Sequence, residues 1–75
     1  MKREEVESSM IASVGYDPAA QILEVEFNSG KVYQYADVSE EEYTGLMQAG
    51  SKGQYMLACI IDMYPTSQVR RRSRY

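Results

Sequence analysis

Leu23, Val25 and Phe27 alternate with Glu24 and Glu26, and this period of two constrains the chain more than any other feature. An apolar side chain at every second position suits a strand with one buried face; a helix would scatter those residues around its surface. Ahead of it, Met10, Ala12, Val14 and Tyr16 alternate with Ile11, Ser13 and Gly15, and behind it comes Lys31-Val32-Tyr33-Gln34-Tyr35. Turn chemistry separates the three stretches: Asp17-Pro18 before the central one, Asn28-Ser29-Gly30 after it. Three short antiparallel strands in a meander are expected.

After Val38 the period changes. Ser39 followed by Glu42 is a capping-box spacing, and Glu40 and Glu41 complete an acidic first turn that suits the positive end of a helix dipole. Tyr43, Leu46 and Met47 then share a face, and Gly50 after Ala49 supplies a stop. Ser51 with Gln54 repeats the capping spacing, so a second helix is predicted to run to about Met63, ended by Tyr64-Pro65. The order β-β-β-α-α predicts an α+β domain: a three-stranded antiparallel meander followed by two helices packed on one face. Seventy-five residues leave room for one domain. It is read as a flexible N-terminus over residues 1–7, a folded unit over 8–65 and a basic, disordered tail over 66–75.

The chain has no histidine and one cysteine. It therefore lacks the commonest general base near neutral pH and cannot assemble the roughly four Cys/His ligands of structural zinc. Cys59, inside the apolar run Met56-Leu57-Ala58-Cys59-Ile60-Ile61, is expected to be a buried hydrophobe. No catalytic residue, metal or cofactor is predicted, and the chain reads as non-catalytic. No apolar run approaches the roughly 20 residues of a membrane span, and Met1-Lys2-Arg3-Glu4-Glu5 lacks the core of a secretory signal. A cytoplasmic protein without membrane contact is expected.

The net charge of −3 hides an asymmetry. Residues 8–65 carry eight acids and two bases, whereas residues 66–75 carry Arg70, Arg71, Arg72 and Arg74. An acidic body repels phosphate backbones, so a nucleic-acid contact would have to use local features or the basic arm.

Ser9, Ile11, Gly15-Tyr16-Asp17-Pro18, Leu23-Glu24-Val25-Glu26-Phe27, Ser29-Gly30 and Val32-Tyr33-Gln34-Tyr35 resemble the KTSC domain. So do Ser51-Lys52-Gly53-Gln54-Tyr55, Ile60 and Tyr64-Pro65. The resemblance covers roughly residues 8–65. It implies a module found at the C-terminus of some lysyl-tRNA synthetases and as small stand-alone bacterial proteins, of undetermined molecular function, for which RNA binding has been suggested. The family usually shows Phe-Asn after the tyrosine and an arginine after the isoleucine; here Met56-Leu57 and Ile61 stand in those places. Two polar groups capable of touching a nucleotide are aliphatic in this chain.

Three places are candidate sites. On the second helix, at about 100° per residue, Met56, Cys59, Ile60 and Met63 form the core stripe. Leu57 and Ile61 then lie beyond its edge with Tyr64 between them. An apolar arc that wide exceeds what one small sheet covers, so Leu57, Ile61 and Tyr64 form the expected interface for a second copy or another protein. This is the leading functional expectation.

The alternative is RNA or single-stranded nucleic acid, held by Tyr33, Tyr35, Lys52 and the arginines of the tail, since two same-face aromatics can stack bases. Hairpin register governs their availability. A three-residue loop with Gly30 in the left-handed conformation pairs Tyr33 with Val25 and Tyr35 with Leu23, on the core side. A two-residue loop places them opposite Glu26 and Glu24 instead, but requires positive φ at Ser29, which disfavours it. The second alternative is a small anion such as a nucleotide at Ser51-Lys52-Gly53, where a helix start and an ammonium coincide.

Overall fold

The three alternating stretches form strands β2 (Ile11–Asp17), β3 (Ile22–Phe27) and β4 (Val32–Tyr35) in the computed structural model, which describes residues 2–69. The sheet has five antiparallel strands, not three, in the order β1-β2-β3-β4-β5. β1 (Glu4–Glu5) pairs with β2 and β5 (Thr66–Val69) with β4, so both additional strands come from segments read as terminal extensions. The expected meander is its centre. The flanking strands escaped the sequence because every residue in them is exposed: backbone pairing holds them, and no side-chain alternation records it.

Hairpin geometry follows the three-residue loop. The Phe27 amide donates to the Lys31 carbonyl at 2.9 Å, the Gly30 amide donates to the Phe27 carbonyl at 2.8 Å, and Gly30 has φ +96°. Val25 therefore faces Tyr33 and Leu23 faces Tyr35. Between Ile11 and Ser13 a bulge interrupts the β2–β3 register. It breaks the simple alternation read from the sequence and lets Ile11 join Val14 in the core.

Helix α1 (Glu40–Gln48) starts where its capping box predicts, with Ser39 Oγ accepting from the Glu42 amide at 3.2 Å. Helix α2 (Lys52–Tyr55) is likewise capped by Ser51, but runs directly into a wider π-helical turn, Met56–Ile60. The Ile61 amide closes that turn on the Met56 carbonyl at 2.7 Å. Ile61 is extended and Asp62 is left-handed at φ +67°, so the helical segment ends short of the expected Met63. The consequence is visible in burial: Met56 and Ile60 are fully buried, whereas Met63, assigned to the core stripe, is 66% exposed. Cys59 is half-buried against the core.

The core lies between the sheet and the helical segments, and joins Ile11, Val14, Leu23, Val25 and Tyr35 to Val38, Leu46, Met56 and Ile60. Glu42 fastens the helices to the chain that follows them by accepting hydrogen bonds from the Tyr55 and Tyr64 hydroxyls, the latter at 2.8 Å. No helix among the described residues is long and apolar enough to cross a membrane.

Candidate functional site

β4 places Tyr33 and Tyr35 on the helix side of the sheet. Tyr35, paired with Leu23, is almost wholly buried; Tyr33, nearer the β3–β4 turn, is half-buried. Phe27 lies diagonal to Tyr33 on the adjoining strand, and the two rings meet edge to face, 5.8 Å apart at 72°. These aromatics, Met10, and the Ile61-Asp62 corner after the helix surround a groove of about 580 Å³. That volume is in the range of small-molecule and side-chain binding pockets. Ser9, Asn28, Ser29 and Thr66 supply its other polar lining.

Among the described residues, neither the Tyr33 nor the Tyr35 hydroxyl has a hydrogen-bond partner, and no buried side-chain N or O atom lacks one. The Tyr35 oxygen is therefore open to the groove rather than sealed in the core. Burial pushes the Tyr35 phenol above its ordinary value, and the neighbouring Tyr33 and Asp62 push it the same way. Among the described residues, Asp62 is the one charged member of the lining. The arrangement offers aromatic faces, two phenol hydroxyls and a carboxylate. What such a set can supply is burial, hydrogen bonding and attraction of positive charge.

The residues expected at a helix-two interface differ in their surroundings. Leu57 is 61% exposed, Ile61 turns into the groove, and Tyr64 is half-buried with its hydroxyl on Glu42. At the second turn, Ser51 Oγ accepts from the Gln54 amide at 3.3 Å, Lys52 Nζ points to the Ala49 carbonyl at 3.5 Å, and Gly53 is buried beneath Met10. Each of the three has an intramolecular neighbour. Arg70, Arg71, Arg72 and Arg74 lie outside the described residues. Among the described residues, no group of three or more Cys, Asp or Glu side chains is placed to hold a metal ion.

The opposite face of the sheet is occupied by the chain itself. Arg3 forms an ion pair with Glu24 and donates from Nε to Ser13 Oγ at 2.9 Å, while Ser13 donates to Glu26 at 2.8 Å and Gln34 to Glu24 at 2.8 Å. The Lys2 carbonyl lies so close to Gly15 that a Cβ there would stand 2.6 Å from it. Stacking residues are thus absent from this described face, and the tyrosine pair serves the groove.

Phe27, Met10 and Asp62 are among the lining residues that sequence reasoning passed over. For Phe27 a signal existed, because the favoured register already set it diagonal to Tyr33. For Asp62 there was none, since its position depends on where the helix stops.

The KTSC domain family model matches residues 7–64. An uncharacterised protein of Stutzerimonas stutzeri (strain A1501) is 49% identical over 55 residues, which cover 73% of this chain and 78% of that protein. A lysine–tRNA ligase of Nostoc sp. (strain PCC 7120) is 43% identical over 49 residues, 65% of this chain but 9% of the ligase. The crystal structure of a KTSC domain protein from Yersinia pestis superimposes with a TM-score of 0.90 at 35% identity, covering 92% of this chain and 97% of that one. The family model over most of the chain, the 49% identical relative and the shared fold agree: the chain belongs to the KTSC domain family.

Proposed function

We propose that this protein is a non-catalytic binding module that docks a segment of a partner protein in the groove at the end of its second helix. The observation that carries the reading is the edge-to-face pair of Phe27 and Tyr33, left half-buried opposite Ile61 around a groove of about 580 Å³. Burying these rings and Ile61 under a partner is worth roughly 1.5–3 kcal/mol for each large side chain fully covered. Charge supports a peptide over a nucleic acid: among the described residues the lining carries one carboxylate and no cation, and residues 8–65 carry eight acids and two bases.

The test is selection of random displayed peptides on the immobilised protein, followed by binding of the selected peptides to Ile61→Asp and Tyr33→Ala. The expected result is a convergent peptide set whose binding is lost in both variants. Failure to select any peptide overturns the reading, as does binding that survives both substitutions. Labelled single-stranded RNA at low salt is the parallel arm; RNA binding that Ile61→Asp abolishes would transfer the groove to nucleic acid. Sedimentation of the wild type reports whether the docked segment belongs to a second copy.

A further inference from the structure

The groove joins features that suit a cation better than a neutral apolar group. Phe27 and Tyr33 stand at 72° to one another, so they form two crossed walls rather than a parallel slot. Tyr35 completes the floor with its oxygen open to the groove, and the Asp62 carboxylate stands at the rim without a cationic partner among the described residues. Aromatic faces attract ammonium groups through the ring quadrupole, and a nearby carboxylate adds to that attraction. A planar guanidinium stacks on one face and seeks a bidentate acceptor, whereas a tetrahedral ammonium presents three donors in different directions. The Asp62 carboxylate accepts from either cation; the two separate phenol oxygens beside it add acceptors for the diverging donors of an ammonium.

We infer that the groove recognises an alkylammonium, a lysine side chain of the docked segment, with its methylenes against Phe27 and Ile61 and its nitrogen between the Tyr33 and Tyr35 hydroxyls and Asp62. This rests on the docking reading and specifies its partner. The acidic body favours approach of such a segment over long range, and added salt weakens it.

The experiment titrates N-acetyl-lysine methylamide, N-acetyl-norleucine methylamide and N-acetyl-arginine methylamide into the 15N-labelled full chain and follows the backbone amides. Lysine is expected to shift Tyr33, Ile61 and Asp62 more strongly than either other derivative. Asp62→Asn is expected to weaken lysine by about threefold and leave norleucine unchanged. Asparagine tolerates the left-handed conformation at this position, so the variant keeps the corner. Tyr33→Phe, which keeps the ring, separates hydroxyl from stacking.

Equal shifts from lysine and norleucine, or indifference to Asp62→Asn, overturn the ammonium assignment. The docking reading would then still stand if selected peptides bind in an Ile61-dependent manner. Stronger shifts from arginine overturn lysine in favour of a guanidinium. Absence of groove shifts with all three derivatives overturns the inference, and the peptide selection alone then judges docking.

Discussion

Arg3 crosses the outer face of the sheet to pair with Glu24, a carboxylate only 6% exposed and 21 residues away in sequence. Gln34 donates to the other oxygen of the same carboxylate. The N-terminal segment thereby neutralises a charge that the sheet has already taken out of water. Removing Arg3 leaves that charge without its counterion, which costs far more than the pair gains. Since the arginine is itself a quarter exposed, Arg3→Ala should destabilise by about 2–3 kcal/mol in urea denaturation. Adding Glu24→Gln should recover part of the loss; no recovery would mean that the two do not form a coupled pair.

The tyrosine–glutamate fastening predicts sensitivity to alkali. The hydrogen bond to Glu42, followed by burial, pushes the Tyr55 phenol up from 10.0 to about 12, and a second hydrogen bond to the other oxygen of that carboxylate raises Tyr64. A group whose folded value exceeds its unfolded one stabilises below the unfolded value and loses that contribution as pH rises through the folded one. Melting temperature should thus fall between about pH 10 and pH 12. Glu42→Gln should make the fall shallower and bring phenolate absorbance of Tyr55 to lower pH. An unchanged absorbance titration would refute the assignment.

Burial around the π-helical turn separates two classes of substitution. Ile60→Ala and Met56→Ala should each cost about 2–5 kcal/mol, because both side chains are fully enclosed. Leu57→Asp and Met63→Asp should stay within about 0.5 kcal/mol of the wild type, since both side chains are largely exposed. Chemical denaturation of the four variants distinguishes this turn from a regular helix, in which Met63→Asp would be severe.

Gly30 offers a backbone test without a packing component. Its φ is +96° and nothing lies within 4 Å of an added Cβ, so Gly30→Ala should cost about 1 kcal/mol from conformation alone. Gly50→Ala, also in open space but without positive φ, should be close to neutral. Equal stability of the two variants would show that the hairpin loop adapts.

What could be read from the chain was whatever burial wrote into it. The alternation of Leu23, Val25 and Phe27 marks β3 because one face is packed, and Gly30 decides the hairpin register because only the three-residue loop confines positive φ to a glycine. Thr66–Val69 left no such trace, since its strand is held through main-chain groups with every side chain in water. The Ser51 cap announced where the second helix begins, but its end depends on Asp62 adopting a left-handed conformation, which no local pattern signals. For the site, Tyr33 and Ile61 were singled out individually. Their meeting across one groove is a tertiary event between segments far apart in sequence, which no periodicity records.

The widened turn at Met56–Ile60 amounts to one residue more than an ordinary helix would spend on the same rise. The surplus is taken up within the turn itself, where Leu57 and Ala58 face solvent while Met56 and Ile60 stay enclosed. Trimming the exposed Ala58 would therefore let the segment close into a regular spiral without turning the chain beyond it, and Ile61 and Asp62 would keep their places at the recess.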